Sequence, residues 1–206
     1  TRIHYLDEGP KDGKIIYLLH GEPAWSYLFR KMIPTLTEAG YRVIAPDMVG
    51  FGKSDKYISI DDYSHQMHVD KMVQLVRELD LKDVTAHLHD WGGLVGFRVI
   101  AEEPERFSGI IASNTSLIAP GRGFFRDLLS HISYPLFKLG IWIQGPATWE
   151  EFIGGDGFTG WIRYSRYTDN IDVGGIMQTL GNVSDEERVG YEAPYPNATY
   201  KAGAQI

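Results

Sequence analysis

Short apolar runs separated by polar turns dominate the first half of the chain. Each run holds four or five residues, is rich in β-branched and aliphatic side chains, and lacks a strict alternation of apolar and polar positions. That pattern is typical of strands that are buried on both faces of a parallel sheet. The sequence therefore predicts strands at residues 15–19, 41–45, 84–88 and 109–112.

Amphipathic helices are predicted between these strands. Residues 62–80 place apolar side chains on one face at steps of three and four residues, and Asp62 or Ser64 can cap the start. A second helix is expected to begin at Gly92 and to end before Pro104. Strands that alternate with helices predict an α/β fold with right-handed crossovers. The apolar face of the first helix consists of Val69, Met72, Val73, Val76 and Leu79.

The composition changes after Pro120, where strand patterns disappear and aromatic residues accumulate up to about Asn170. We interpret this segment as a helical insertion with an apolar underside that is placed over the sheet. For most of the rings, packing within the insertion's own core is the simpler interpretation. The aromatic residues of the segment are Phe124, Phe125, Tyr134, Phe137, Trp142, Trp149, Phe152, Phe158, Trp161, Tyr164 and Tyr167.

The charge balance and the missing cysteines exclude several functions. The chain carries 20 Lys and Arg against 27 Asp and Glu, a net charge of −7, whereas a surface that binds duplex nucleic acid needs positive charge. Without cysteine there are no disulfides, thiolate metal sites or cysteine nucleophiles. The longest apolar run, residues 15–19, is far shorter than the roughly 20 residues that cross a bilayer. We expect neither nucleic acid nor a membrane as a partner.

One motif imitates a nucleotide site. Residues 50–54 read GFGKS and share the Gly-Lys-Ser ending of a phosphate-binding loop, but that loop needs a glycine where this chain has Asp47. Residues 55–60 also lack a helical pattern, so we interpret the segment as a turn. The histidines show no metal-binding spacing with an acidic partner. His65 and His68 are interpreted as solvated or half-buried, and no metal site is predicted.

A turn between a predicted strand and a predicted helix carries the candidate chemistry. Residues 88–93 read LHDWGG, and Asp90 lies at the junction. One interpretation is a sharp turn that holds Asp90 above the sheet as a nucleophile. The other is that Asp90 only caps the following helix. Taken alone, the turn does not decide between the two.

The neighbouring blocks decide in favour of a nucleophile. Together with residues 88–93, the blocks 20–30 (HGEPAWSYLFR) and 45–55 (APDMVGFGKSD) resemble the haloalkane dehalogenases of the α/β-hydrolase superfamily. The HGEP version is similar to the subfamily whose halide site uses two tryptophans. The likeness continues through residues 156–161 (DGFTGW) and 192–196 (EAPYP), and so covers essentially the whole chain.

The resemblance implies an α/β-hydrolase fold, a mostly parallel sheet flanked by helices with an inserted helical cap. It divides the chain into an N-terminal part of the core at residues 1–119, a cap at 120–185 and the start of the return to the core at 186–206. The family is about 300 residues long, and this chain is expected to be a fragment that is incomplete at both ends, without the first and the last two strands of the sheet.

The resemblance also implies a role for individual residues. By this resemblance, Asp90 is expected to be the nucleophile. The expectation agrees with its chemistry, because a carboxylate that is already ionised at neutral pH displaces a halide without a base. The indole N–H groups of Trp91 and Trp161 are expected to bind the halide. The backbone N–H groups of Glu22 and Trp91 are expected to form the oxyanion hole, and the Glu22 side chain to position water. His20 is interpreted as structural, and His89 as packed. The substrate pocket is expected to be lined by Phe158, Leu94 and Pro194.

Hydrolysis of the resulting ester needs a histidine and an acid, which this superfamily carries late in the chain. The last histidine here is His131, within the insertion, and the position after the strand 109–112 where some relatives carry the acid is Asn114. We expect the catalytic histidine and acid to lie beyond residue 206, so that the chain alone performs at most the first half-reaction. The resemblance implies a haloalkane and a halide ion as partners, no cofactor, a monomer at full length and a cytoplasmic location. Because the chain begins at Thr1, a removed signal peptide is not excluded.

Two other functions remain open. An epoxide hydrolase shares the turn and the ester mechanism, and Tyr134, Tyr164 and Tyr167 are available to protonate an epoxide. Glu22 and the surroundings of Trp161 favour the dehalogenase over it. A non-catalytic ligand-binding relative of the same fold would also explain a missing histidine, although truncation explains it better.

Overall fold

The computed structural model describes residues 1–116, 124–155 and 157–205, and for residues 124–132 and 134 it describes the backbone alone. Two predicted features fall outside these residues. They are Pro120, at the start of the predicted insertion, and Asp156, the first residue of the DGFTGW motif.

Within the described residues, five strands form one sheet in the order β1-β3-β2-β4-β5. Strands β2 to β5 run parallel to one another, while β1 pairs antiparallel with β3. All four predicted strands are present, and the predicted mostly parallel sheet is confirmed. The strands are β1 (Tyr5–Glu8), β2 (Ile15–Leu19), β3 (Arg42–Pro46), β4 (Val84–His89) and β5 (Phe107–Ser113).

Strand β1 was missed by the sequence analysis because it lies at the edge of the sheet and carries acidic residues. Asp7 faces β3, where Arg42 donates two hydrogen bonds of 2.8 Å to its carboxylate oxygens. This paired arginine is the main reason why the pKa of Asp7 falls from 3.8 to about 2, with Lys11 adding to the effect against partial burial. The antiparallel strand is therefore held by its backbone pairing with β3, by Leu6 against the core and by this ion pair.

Replacing Arg42 by methionine tests this pair. We expect Arg42→Met to lower the free energy of unfolding by about 1 kcal/mol at neutral pH, since the pair is bidentate but partly exposed to solvent. Because the pKa of Asp7 is depressed in the folded protein, the difference should be complete above pH 3.8 and should vanish as the pH falls to about 2. Urea unfolding across this range measures it. Lys11→Met, whose side chain is 66% exposed, is the matched control and should cost less.

Eight α-helices and four 3₁₀ turns are assigned within the described residues. The α-helices are α1 (Met32–Glu38), α2 (His65–Glu78), α3 (Trp91–Glu102), α4 (Phe124–Gln144), α5 (Trp149–Ile153), α6 (Gly157–Tyr167), α7 (Val173–Leu180) and α8 (Asp185–Glu192). The 3₁₀ turns lie at Ser26–Phe29, Ile60–Asp62, Pro104–Arg106 and Ala198–Ala204. In this part of the chain, no helix combines the length and the apolar composition that a bilayer span needs.

Helices α2 and α3 follow the predicted pattern with small shifts at their starts. Ser64, not Asp62, caps α2, because its hydroxyl accepts the N–H of Met67 at 3.1 Å while Asp62 belongs to the preceding 3₁₀ turn. The predicted apolar face of α2 is buried up to Val76. Helix α3 begins at Trp91, one residue before the predicted start, and ends at Glu102 as expected.

The chain forms two compact units. The first comprises Thr1–Leu117 with Asp172–Ala204, and the second Ile118–Ile171 with Gln205–Ile206. The first unit therefore contains the sheet, α1 to α3, and the pair α7 and α8. The predicted division of the chain at residues 119 and 185, into core, cap and return to the core, stays a prediction.

Helices α5 and α6 of the second unit are held together by their own aromatic residues. The Phe152 ring stacks on Tyr164 with 5.3 Å between centroids and lies 5.5 Å from the Trp161 ring, and Trp149 contacts both Phe152 and Tyr164 edge-on. Buried Arg163 donates to the carbonyl of Gly145 at 2.9 Å. These four rings therefore contact one another within the insertion.

Candidate active site

Asp90 occupies a strained position between β4 and α3. Its backbone has φ 55° and ψ −124°, a region that a residue with a Cβ rarely enters and that costs of the order of 1–3 kcal/mol. Strand β4 ends one residue before Asp90, at His89, and α3 begins one residue after it, at Trp91. The chain reverses here within a single residue, which lifts the Asp90 side chain out of the regular structure on either side.

The carboxylate of Asp90 takes no part in capping α3 within the described structure. Instead, its Oδ1 accepts the backbone N–H of Glu22 at 3.0 Å. This contact joins the turn after β4 to the loop after β2, which are neighbours because β2 and β4 pair in parallel and their carboxyl ends meet at one edge of the sheet. A helix cap would not need a donor from a second loop.

Two glycines allow the loop and the turn to approach this closely. A Cβ on Gly21 would lie 2.3 Å from the Cβ and Oδ1 of Asp90, and one on Gly92 would lie 2.4 Å from the carbonyl oxygens of Leu19 and His20. Neither position has room for a larger side chain. The small residues of both motifs are therefore required by the packing of one loop against the other.

The end of β5 holds the turn from its other side. The Asp90 N–H donates to the carbonyl of Ser113 at 3.3 Å, and the hydroxyl of Thr115 donates to the Asp90 carbonyl at 2.7 Å. The sequence analysis missed both residues. The feature of the sequence that could have pointed to them is their position at the carboxyl end of β5. Because β5 pairs in parallel with β4, the loops that follow these two strands lie side by side.

His20 is a neutral, buried side chain that connects the loop after β2 to the loop after β3. Its Nε2 accepts the N–H of Met48 at 3.0 Å, and its Nδ1 lies 2.9 Å from the carbonyl of Gly21. An accepting Nε2 is unprotonated, so Nδ1 must carry the proton and donate it to that carbonyl. Burial lowers the pKa of His20 below its ordinary value, which agrees with a neutral ring. Both ring nitrogens are thereby occupied by backbone groups.

The other predicted site residues lie in different parts of the chain. Glu22, Trp91 and Leu94 are partly buried in the first unit, as is Pro194, which follows α8. Trp161 and Phe158 belong to α6 of the second unit, where Trp161 is partly buried against Phe152 and Phe158 is 61% exposed. The structure brings Asp90, Glu22 and Trp91 together at one turn. A pocket that includes Trp161, Phe158, Leu94 and Pro194 stays a prediction.

The arrangement of strand, sharp turn and helix matches a known family. A family model described as the alpha/beta hydrolase fold matches residues 14–160, more than two thirds of the chain. The chain belongs to the α/β-hydrolase fold family. The fold class predicted from the sequence is confirmed. Asp90 lies on a turn between a strand and a helix, and α/β hydrolases carry their nucleophile on a turn of this kind.

Among the α/β hydrolases, the chain is similar to haloalkane dehalogenases over its whole length. One from Mycolicibacterium paratuberculosis is 43% identical over 206 residues, which cover 99% of this chain and 58% of that protein. The solved structure of a tetrameric haloalkane dehalogenase from Paraglaciecola agarilytica NO2 is 34% identical with a TM-score of 0.76, covering 99% of this chain and 59% of that one. The predicted resemblance to this group is confirmed. The chain spans less than two thirds of the length of these relatives.

Epoxide hydrolases share the fold at lower identity. The structure of one from Vigna radiata has a TM-score of 0.70 and 18% identity, covering 98% of this chain and 66% of that one. Both groups of α/β hydrolases are therefore compatible with the backbone, and the sequence likeness favours the dehalogenases.

Proposed function

We propose that the protein hydrolyses haloalkanes to an alcohol and a halide ion through an ester formed on Asp90. The observation that carries the proposal is the geometry of this residue. Its carboxylate lies on a strained strand-to-helix turn. It makes no capping hydrogen bond to α3 in the described structure and instead accepts the N–H of Glu22 at 3.0 Å. A strained backbone that presents an ionisable side chain to a second loop is typical of a functional site.

In the first half-reaction, an oxygen of the Asp90 carboxylate attacks the halogen-bearing carbon. A C–O bond forms, the carbon–halogen bond breaks, and the halide leaves with the electron pair. We assign the stabilisation of the departing halide to the indole N–H groups of Trp91 and Trp161, which are neutral donors on apolar side chains. Trp91 adjoins the nucleophile in the sequence, and Trp161 would be supplied by residues 120–185 acting as a cap.

The second half-reaction returns the carboxylate. Attack by Oδ2 would leave Oδ1 as the ester carbonyl oxygen, and water that adds to the carbonyl carbon, giving up a proton to a base, converts this oxygen into an oxyanion. When this intermediate collapses, the bond between the carbonyl carbon and the alkyl-bearing oxygen breaks, the alcohol leaves with that oxygen and a proton, and the water oxygen stays in the carboxylate. The Glu22 N–H already points at Oδ1, so one donor for the oxyanion is in place before the reaction begins. Asp90 also lies at the N-terminus of the 12-residue helix α3, whose partial positive charge favours the developing anion. We assign the second donor to the Trp91 N–H and the positioning of water to the Glu22 side chain.

Other parts of the proposed function rest on similarity to the relatives. Phe158, Leu94 and Pro194 are assigned to the substrate pocket, and haloalkane and halide are the proposed ligands. The base is not assigned to His20, because backbone groups occupy both of its ring nitrogens. A catalytic histidine and acid outside residues 1–206, a monomeric protein and a cytoplasmic location stay predictions, and the relative from Paraglaciecola agarilytica is a tetramer.

Covalent labelling tests the function on the chain itself. We expect incubation with 1-bromobutane to add the mass of one butyl group to the peptide that contains Asp90, together with one bromide released per chain. Repeated release of bromide would place the base within residues 1–206. Labelling by styrene oxide without labelling by 1-bromobutane would favour an epoxide hydrolase, and reversible binding without gain of mass would favour a non-catalytic relative.

A further inference from the structure

The segment between β3 and α2 is a buried loop whose purpose the proposed reaction leaves unexplained. It contains the GFGKS sequence that imitates a phosphate-binding loop. Asp47, Met48, Val49 and Phe51 are at most 2% exposed, although loops normally lie at the surface. A Cβ on Gly52 would lie 2.3 Å from the carboxylate of Asp47. The glycine thus makes room for the aspartate, and the loop folds around this carboxylate rather than around a phosphate.

The carboxylate of Asp47 is fully buried and is bonded by three donors from three segments. Its Oδ1 accepts the backbone N–H of Ser26 at 2.8 Å. Its Oδ2 accepts the backbone N–H of Lys53 at 2.9 Å and lies 2.8 Å from Nδ1 of His4. Such a set of donors fixes the carboxylate in one orientation, since each oxygen has its own partners.

Two of the contacts made by this loop lie on either side of Glu22 in the sequence. Ser26, four residues after Glu22, is held by the Asp47 carboxylate, and His20, two residues before it, accepts the N–H of Met48. The loop after β3 therefore fastens the segment 20–26 at both ends. Between these two points, the Glu22 N–H is directed at Asp90.

Building on the proposed function, we propose that Asp47 is a positioning residue for the reaction, acting through Ser26 on the direction of the Glu22 N–H. Because the Glu22 N–H bonds Oδ1 of Asp90 before the reaction, the direction of this donor sets the orientation of the carboxylate whose Oδ2 attacks the carbon. Asp47 does not touch the reacting atoms. It supplies the rigid attachment from which the N–H donor is aimed, and His20 supplies the second attachment.

The test compares Asp47→Asn with Glu103→Gln. Whichever oxygen the NH₂ group of the asparagine replaces, it faces the backbone N–H of either Ser26 or Lys53. One of these two hydrogen bonds must therefore break. Glu103 is the matched control, because it is also a buried carboxylate that accepts several donors, here Arg77 and Arg106. It directly follows the last residue of α3, at the opposite end of this helix from Asp90. We expect Asp47→Asn to lower the maximal rate of labelling by 1-bromobutane about tenfold, with the half-saturating concentration unchanged, and Glu103→Gln to leave both unchanged.

Hydrogen exchange of the Glu22 amide gives a readout that does not depend on activity. We expect this amide to exchange at least about tenfold faster in Asp47→Asn than in Glu103→Gln at matched stability. Equal exchange in the two variants, or equal labelling rates, would overturn the proposal. If the unaltered chain is not labelled at all, the proposed function fails and the exchange measurement alone decides the role of Asp47.

A milder variant covers the case in which Asp47→Asn does not fold. His4→Ala removes one donor to Oδ2 from the partly exposed side and leaves the Asp47 carboxylate in place. We expect His4→Ala to slow labelling by 1-bromobutane and to speed exchange of the Glu22 amide, each by about threefold. Unchanged exchange at Glu22 in His4→Ala would then count against Asp47 as a positioning residue.

Discussion

Asp90→Asn is expected to abolish covalent labelling by 1-bromobutane, with a rate loss of about a thousandfold or more. The amide has no ionised oxygen and is a poor nucleophile, although it has nearly the shape of the carboxylate. Its Oδ1 can still accept the Glu22 N–H that Asp90 accepts at 3.0 Å, and it fits against Gly21 as the aspartate does. The variant should therefore fold, and we expect its free energy of unfolding to change by no more than about 1 kcal/mol.

Mass spectrometry of peptides after exposure to 1-bromobutane measures this loss. Asp70→Asn is the matched control, because Asp70 is an exposed residue on α2 that accepts a hydrogen bond from Gln66, and its replacement should leave labelling unchanged. If Asp90→Asn still gains a butyl group, the position of the label identifies a different nucleophile. Glu22 would be the first candidate, because its backbone N–H bonds to the carboxylate of Asp90.

Acidification is expected to destabilise the protein strongly through His68. This side chain is 3% exposed, with its ring stacked on Tyr63 and near Phe51. Among the described residues, its Nδ1 has no hydrogen-bond partner. Burial is the main cause that lowers the pKa of His68 from 6.5 to about 4, and the charges of His20 and His65 add to it. The site thus holds a neutral ring and opposes protonation.

The sign of the effect follows from the two pKa values. Between pH 6.5 and 4 the unfolded chain binds a proton at His68 and the folded chain does not. The free energy of unfolding is therefore undiminished by His68 above pH 6.5 and decreases as the pH falls from 6.5 to 4. Over this range, His68 accounts for a loss of up to about 3 kcal/mol. Urea unfolding at several pH values measures it.

His68→Phe keeps a ring between Tyr63 and Phe51 and removes the titrating group. We expect this variant to lose much less stability between pH 6.5 and 4, with a residual slope from buried His20. His87→Gln is the comparison, because burial also lowers the pKa of His87 but this ring is only partly buried and bonds to Ser113 at 3.0 Å. An unchanged slope in His68→Phe would show that other groups control the acid response.

The fold was largely predictable because its apolar pattern is local. Strands buried on both faces produce continuous apolar runs, and α2 shows its buried face at helical spacing, so both could be recognised from neighbouring residues. Strand β1 could not, since its pairing with β3 and the ion pair of Asp7 with Arg42 join residues that are far apart in the sequence. The choice of Ser64 over Asp62 as the cap of α2 also depended on geometry, because either residue type can cap a helix.

The candidate site was likewise predictable only in part from the sequence. Asp90, Trp91 and Glu22 were predicted from motifs, because the residue types expected at a strand-to-helix turn and in the proposed oxyanion loop are contiguous in the sequence. The contribution of Thr115 and the central position of Asp47 were not, because their partners come from other loops and become neighbours only when parallel strands align their carboxyl ends. In the sequence, Asp47 served only to exclude a phosphate-binding loop.

The sequence by itself determined the α/β fold, the nucleophile candidate at residue 90 and the exclusion of thiol chemistry, since each depends on residue identity and short spacing. Only the tertiary structure decided that the Asp90 carboxylate faces Glu22 instead of capping α3, that His20 is a buried neutral ring bonded to backbone groups, and that Asp47 fastens the loop beside Asp90. The physical reason is the same in each case. A polar side chain can satisfy its hydrogen bonds in several ways, and the choice is made by the donors that packing brings to it from distant parts of the chain.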